Sequence, residues 1–521
     1  MGFKLTYSTM FNPPEEMHTR FEEALGRVRA GLGARHGLYV NGADVSTASW
    51  ILKRNPADSE VELGYFAEAS TDDADRAVAA ARAAFPAWRA TPAPERLALL
   101  RRVSALIEER VYELSAAVAL EVGKNRMEAL GEVQETADFF SGYCEDFERH
   151  NGFDNVLPDD PLPDWRSHNR SVLRPYGVWA VITPFNYPFA LAGGPVAAAL
   201  VTGNTVVLKG ATDTPWAGRL LAQCLHDAGI PPGVFNYVCG ASAVGSRLVE
   251  HPHIGGVTFT GSYAVGMQIL RTLAARRYPR PCIAEMGGKN ACIVTAAADL
   301  DRAASGIARS AFGMGGQKCS ALSRLYVHED VADALIERLQ AQIAAIRIGD
   351  PCQRENWLGP VATDKAWRRF ADCAQRLGAD GGRLLAGGAR LRDGELARGF
   401  YVQPTMAELP REHSLWREEM FLPVLTMARV KSNAEAMELA NASDFGLTAG
   451  FYGAESEIGW FHENIEAGVT YVNRPQGATT GSWPGYQPFA GWKGSGSTGK
   501  AIASFYYLPQ YLREQSRTVV E

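Results

Sequence analysis

The 521-residue sequence predicts an α/β protein built from several domains. Three observations carry that expectation. The length implies about three domains at roughly 150 residues each. Residues 73–150 read as consecutive helices, and from Val172 onward short apolar strands alternate with amphipathic helices in two successive runs. Alternation of that kind builds parallel sheets with helices on their faces.

Each element has its own signal. The stretches "DDADRAVAAARAAFPAW", "PERLALLRRVSALIEERVYELSAAVALEVG" and "RMEALGEVQETADFFSGYCEDFERH" place apolar residues at three- and four-residue spacing with polar faces between. Residues 151–170, "NGFDNVLPDDPLPDWRSHNR", carry the Pro, Asp and Asn that break helix and lead into extended structure. The first alternation follows in "YGVWAVIT", "NTVVLKG", "GVFNYVCG" and "GGVTFTG", with helical stretches such as "PWAGRLLAQCLHDAG" between them. A second starts at residue 290 with "NACIVT", a helix over 298–312, "SRLYVHE", and a helix from 330 that Asp330 is expected to cap. Two such units in sequence imply a cleft between them. The tail "SFYYLPQYLREQSRTVVE" is aromatic and extended, and is expected to pair with another strand.

Composition narrows the function. Net charge is only −6 with basic residues scattered, which argues against nucleic acid or an anionic membrane as partner. No run of 18 uninterrupted apolar residues and no N-terminal apolar core of a signal peptide is present, so the expectation is a cytoplasmic protein. The 8 cysteines form no C-x-x-C pair and no zinc-type spacing with histidine, which suits a reducing compartment and no metal centre.

Two nucleotide motifs overlap in "GWKGSGSTGKA". Gly494, Gly496 and Gly499 satisfy G-x-G-x-x-G, and Gly494 to Lys500 satisfy G-x-x-x-x-G-K. Ala501 stands where a hydroxyl must reach magnesium, and only 21 residues follow Lys500, too few for the βαβ unit either motif requires. A flexible Gly/Ser turn near the cleft is the expectation.

The chemistry gathers around "FGMGGQKCSALSR". A nucleophilic cysteine needs a base, donors for the oxyanion it creates and an acceptor for what leaves. Glu285 in "AEMGGKNACIV" precedes two glycines and a strand, a placement that brings a carboxylate into a cleft. Asn186 in "VITPFNYPFA" is held between Pro184 and Pro188, a rigid mount for an amide donor. In "VTFTGSYAVG" a strand turns through Gly261 and Ser262 into a helix whose first amides suit a pyrophosphate.

Together these residues resemble the aldehyde dehydrogenase superfamily from about residue 45 to the end. The "GQ-x-C" signature falls on Gly316–Cys319, "E-L-G-G-K" on Glu285–Lys289, "P-[WF]-N-[FY]-P" on Pro184–Pro188, "F-T-G-S-x-x-x-G" on Phe259–Gly266 and "E-x-F-G-P" on Glu419, Phe421 and Pro423, with the glutamate and cysteine 34 residues apart. The resemblance implies catalysis by Cys319, Glu285 and Asn186. It implies a cofactor site of Thr183, Pro184, Phe185, Lys209, Thr212, Gly261, Ser262, Gly287, Glu419 and Phe421. Thr212 stands where many NAD-preferring members carry a glutamate that repels a 2′-phosphate, so the cofactor is expected to be NAD or NADP. Lys318 is a candidate for favouring the thiolate. Three positions depart from the pattern: Leu422 and Ala490 for glycine and Met286 for leucine. Leu422 bears on how Phe421 contacts the nicotinamide.

The fold the resemblance implies has a Rossmann-type dinucleotide-binding domain (1–151 and 175–286), an α/β catalytic domain (287–497) and a small β oligomerisation element (152–174 and 498–521). A homodimer or dimer of dimers follows from the exposed edges of that element. Within the superfamily, Ser320, Gly477 and Ala478 are similar to the carboxylate-gripping elements of Δ1-pyrroline-5-carboxylate (L-glutamate γ-semialdehyde) dehydrogenases. Glu135 falls where those enzymes face the substrate's amino group, and Phe489 where they place a packing phenylalanine. Trp483 and Tyr486, in a longer loop, are candidates for reshaping the pocket toward another semialdehyde or an aliphatic or aromatic aldehyde. A cysteine hydrolase using Cys319 with His328, and a catalytically silent binding protein, are the readings from other classes.

Overall fold

In the computed structural model, residues 5, 13–161, 163–477 and 483–521 are described. Two seven-stranded sheets, two three-stranded sheets and one two-stranded ribbon organise them. The first large sheet has the order Cys282–Glu285, Ile254–Thr260, Val178–Ile182, Thr205–Gly210, Phe235–Cys239, Leu38–Val40, Ala43–Val45. Its first five strands are parallel, and an antiparallel hairpin closes the edge. The second has the order Arg383–Ala386, Thr405–Glu408, Val424–Val430, Leu322–His328, Asn290–Val294, Thr448–Tyr452, Val469–Val472, parallel except at Arg383–Ala386.

The strands Val178–Ile182, Phe235–Cys239, Asn290–Val294 and Thr448–Tyr452 are buried at every residue. That is the signature of a parallel sheet covered by helices on both faces, and it explains why their sequences are continuous apolar runs. The helical stretch resolves into Thr71–Ala90, Ala93–Glu109, Val111–Val122 and Arg126–Arg149. The middle one breaks where periodicity alone suggested continuity. Arg110 leaves helical geometry (φ −98°, ψ 12°), turning Val111–Val122 inward until every residue from Leu114 to Val122 is buried. The helix Glu329–Ala344 is capped by the His328 side chain, which accepts from the Asp330 amide, and not by Asp330.

The third sheet pairs Ser167–Pro175 with Asp154–Leu157 on one side and with Leu512–Val520 on the other, in unbroken antiparallel register from Pro175↔Leu512 to Ser167↔Val520. Among the described residues, no helix is long and apolar enough to cross a membrane. The tail is tied to the first sheet by Asn204, wholly buried, whose Oδ1 accepts from Gly177 N (3.0 Å) and whose Nδ2 donates to Thr202 Oγ1 and the Tyr511 carbonyl (3.0 Å each). Asn204→Ala leaves that amide and carbonyl without partners, so we expect a loss of about 2 kcal/mol of stability, read as a lower urea midpoint at unchanged slope.

Candidate active site

The segment Met286–Lys289 passes from the carboxyl edge of the first sheet (Cys282–Glu285) to the amino edge of the second (Asn290–Val294). The residues nominated on the first sheet lie at its carboxyl edge, from which that crossing departs. Thr183, Pro184 and Phe185 follow the strand Val178–Ile182; Lys209 and Thr212 end and follow Thr205–Gly210; Gly261 and Ser262 follow Ile254–Thr260. Register aligns these ends, with Ile182 opposite both Lys209 and Phe259 and Thr260 opposite Glu285. The strand order reverses between Val178–Ile182 and Ile254–Thr260, the place in an open α/β sheet where a ligand crevice forms.

Cys319 sits in a tight loop entered through Met314, Gly315 and Gly316, all with positive φ (52°, 63° and 65°). A Cβ at Gly316 would overlap the Leu422 carbonyl, so both conformation and space demand glycine there. Asn290 then fixes the loop: its Nδ2 donates to the Cys319 and Ala321 carbonyls (2.7 and 2.8 Å), while its Oδ1 accepts from Thr448 N (3.0 Å). Gln317, also buried, bonds Ala362 N and the Met314 carbonyl. Asn186 Nδ2 donates to the Gln317 carbonyl at 3.0 Å, which brings it to the residues just before the cysteine.

Cys319 and Glu285 line one cavity of about 490 Å³. Burial, then the negative charges of Glu419 and Glu285, push the Cys319 thiol up to about 12, against two nearby backbone amides that favour the thiolate. Burial likewise pushes the Glu285 carboxyl well above the ordinary range, against a hydrogen bond from Gly491. Glu285 Oε2 is buried with no hydrogen-bond partner among the described residues, an acceptor left open on a residue that lines the same cavity as Cys319. Lys318 does not serve the thiolate: its ammonium is bound to Glu128 Oε1 at 2.7 Å and stands over the Tyr187 ring.

Glu135, Ser320 and Phe489 line the same cavity, and Glu135 is buried, not on a solvent face. Gly477 adjoins it next to Gln476, with φ of 101° and Ser310 only 3.2 Å from where a Cβ would stand. Ala478 lies outside the described residues. Trp483 contributes to the wall and donates to Asp138 Oδ2 (2.5 Å), whereas Tyr486 is 76% exposed and does not line the cavity. His328 lies at the far end of the strand Leu322–His328, roughly 20 Å of extended chain from the cysteine loop, and its Nδ1 is taken by the Asp330 amide, so no Cys–His couple forms.

On the cofactor side, the helix Tyr263–Ala274 opens with exposed residues and no side-chain cap, leaving its first-turn amides to solvent or to an anion. Glu419 accepts from Gly288 N (2.9 Å), and a Cβ on Gly287 would overlap its carboxylate. Burial raises the Glu419 carboxyl, opposed by the Gly288 amide and Lys289. Phe421 holds positive φ (54°) and meets Phe185 edge to face at 5.8 Å, while Leu422 packs in the core. Burial lowers the Lys209 ammonium, with Asp213 opposing.

Several residues that position the site escaped the sequence. Glu121 accepts from Trp216 N and Ala217 N (2.6 and 2.9 Å), capping the helix that follows Thr212. Ser495 is wholly buried, donates to the Gly287 carbonyl (2.7 Å) and accepts from Gly446 N; Met286 N donates to the Ser495 carbonyl (2.8 Å). The Gly/Ser segment expected to be a flexible turn is thus a strap that holds the crossing. Glu128, Glu132 and Glu135 form one stripe of the helix Arg126–Arg149 at four- and three-residue spacing, a signal present in the sequence.

The aldehyde dehydrogenase family model matches residues 44–516. The chain belongs to the aldehyde dehydrogenase family. It is similar to "1-pyrroline-5-carboxylate dehydrogenase 1" of Halalkalibacterium halodurans (37% identical over 508 residues, 96% of each chain) and to the 1-pyrroline-5-carboxylate dehydrogenase of Geobacillus thermodenitrificans (37% over 509 residues, 96% of each). Among solved structures it resembles a Thermus 1-pyrroline-5-carboxylate dehydrogenase with bound NAD (TM-score 0.92, 34% identity, 100% of this chain and 99% of that one). It also resembles an E. coli NADP-dependent enzyme (TM-score 0.86, 32% identity, 93% of this chain and 98% of that one).

Two outcomes follow for this aldehyde dehydrogenase site. Gly316→Ala should lower turnover by about 100-fold or more by displacing Cys319, with the fold retained by circular dichroism. Because the thiol is held near 12, alkylation of Cys319 by iodoacetamide without cofactor should keep rising past pH 9, with no plateau near the ordinary thiol value, as followed by mass spectrometry.

Proposed function

We propose that this aldehyde dehydrogenase oxidises L-glutamate γ-semialdehyde, the open form of Δ1-pyrroline-5-carboxylate, to L-glutamate with NAD or NADP. The observation that carries the reading is one cavity lined together by Cys319, Glu285 with its open Oε2, Glu135 and Ser320. A carboxylate for the ammonium, and a hydroxyl with the Gly477 backbone for the carboxylate, suit an amino-acid semialdehyde. Relatives so named, at 37% identity over nearly the full length, support it.

In this reading the Cys319 sulfur bonds to the aldehyde carbon as Glu285 takes the thiol proton. The oxyanion is met by the Asn186 amide and the Cys319 backbone N–H. A nicotinamide dinucleotide, when bound, supplies the acceptor for the hydride that turns the cysteine adduct into a thioester. Glu285 releases the thiol proton to solvent and then removes one from water; the hydroxide adds to the thioester carbon, and the Cys319 thiolate leaves and takes the proton that Glu285 holds. Dry surroundings matter because they keep Glu285 basic enough for both transfers.

The residues present fit the dinucleotide: the open helix terminus at Gly261–Ser262 for its pyrophosphate, with Thr183 and Pro184 beside it, Lys209 and Thr212 for the adenosine side, and Glu419 with Gly287, Phe185 and Phe421 for the nicotinamide side. Thr212 brings no carboxylate against a 2′-phosphate, in keeping with use of either cofactor. We assign the sheet formed by residues 152–174 and the C-terminal tail to oligomerisation, as a homodimer or dimer of dimers. Leu512–Val520 is an edge strand exposed beyond Leu512. The enzyme is placed in the cytoplasm.

Steady-state assay at 340 nm tests the reading. Pyrroline-5-carboxylate should be turned over with at least one nicotinamide, and strong turnover of hexanal or benzaldehyde with none of pyrroline-5-carboxylate overturns it. Glu135→Gln should raise KM for the semialdehyde by about tenfold or more while leaving propanal nearly unchanged. With Glu285 acting deprotonated and its carboxyl raised, the acid limb of kcat should lie above the usual carboxylate range, and Glu285→Gln should abolish turnover while Cys319 remains open to alkylation.

A further inference from the structure

The turn that carries Asn186 is clamped by an ion pair that no step above uses. Lys124 stands in the link between the helices Val111–Val122 and Arg126–Arg149, and its side chain and that of Glu132 are completely buried. The Lys124 ammonium contacts the Glu132 carboxylate, donates to the Asn186 carbonyl at 2.7 Å and lies 3.8 Å from the centre of the Tyr187 ring. Glu132 Oε1 accepts from Phe189 N (2.8 Å) and Ala190 N (3.2 Å), at the start of the helix Ala190–Val201, which has no side-chain cap of its own. One pair thus grips the turn at Asn186 and again just past Pro188. The Asn186 side chain, held between these grips, reaches the Gln317 carbonyl.

We infer that Lys124 and Glu132 are positioning residues that aim the Asn186 amide at the oxyanion formed on Cys319. A buried ion pair gives little net stability over well-packed apolar side chains. The hydrogen bonds of this one end on a single catalytic turn, and each of its charges is answered by the other. The same helix stripe places Glu128 on Lys318, beside the cysteine, and Glu135 in the cavity, so one rigid helix sets the spacing of nucleophile loop, oxyanion donor and substrate contact. The inference rests on the reading that Asn186 meets the oxyanion.

A double-mutant cycle in the full-length enzyme separates the two. Asn186→Ala alone should lower kcat by about 100- to 1000-fold, and an unchanged kcat overturns the assignment of Asn186 itself. Lys124→Met should lower kcat on the order of 100-fold with KM for aldehyde and cofactor nearly unchanged. In the Asn186→Ala background the same Lys124→Met change should cost no more than about twofold. If instead it costs as much there as in the parent, while Asn186→Ala lowers kcat as expected, the positioning role fails and the Asn186 reading stands. Should Lys124→Met not fold, Lys124→Met/Glu132→Gln leaves no unpaired buried charge and takes its place in the cycle, with the same outcomes deciding.

Discussion

Asn290 bonds three backbone groups, two in the cysteine loop and one at the start of a neighbouring strand, and the site depends on that one amide. It ties the cysteine loop to the Met286–Lys289 crossing and to the strand Thr448–Tyr452. The crossing in turn carries Glu285, and its glycines run so close to Cys319 and Glu419 that a side chain at Gly287 or Gly288 would collide with one or the other. Cys319, Glu285 and Glu419 are therefore held by a few residues of backbone. A small shift in any of them moves all three.

Desolvation is the second organising force. The Cys319 thiol and the Glu285 carboxyl are both buried, and both are pushed toward their neutral forms. A charge created at the sulfur or the aldehyde oxygen is then poorly screened, and fixed N–H dipoles act on it with more effect than they would in water. Charges that are not part of the reaction are paired off: Lys318 with Glu128, Lys124 with Glu132, and Glu121 with the amides of the helix after Thr212, where Lys53 offsets burial that raises its carboxyl to about 7.

The strap at Gly491–Gly499 shows how a motif can mislead in chemistry and still mark a constraint. Its glycines allow close approach, since a Cβ at Gly491 or Gly496 would meet the other's backbone across the loop. Its serines replace solvent as hydrogen-bond partners for Ala284, Gly287 and Gly446. Glycine and serine thus serve packing of backbone against backbone, not a phosphate.

The sequence by itself determined the α/β class and the aldehyde dehydrogenase family, and it nominated Cys319, Glu285 and Asn186 as the reactive set. Strand alternation is a local signal, and rigid chemistry leaves short motifs of glycine, proline and a functional residue at close spacing. Only the tertiary structure decided that Glu135 is buried, that Lys318 is occupied by Glu128, and that Asn290, Ser495, Glu121 and the Lys124–Glu132 pair hold the site. These depend on partners from 8 to more than 200 positions away, as in Ser495 with Gly287. A buried glutamate and a solvated one have the same letter and the same helical spacing. Burial, and with it the pKa and the partner, is a property of the packed chain and not of the local sequence.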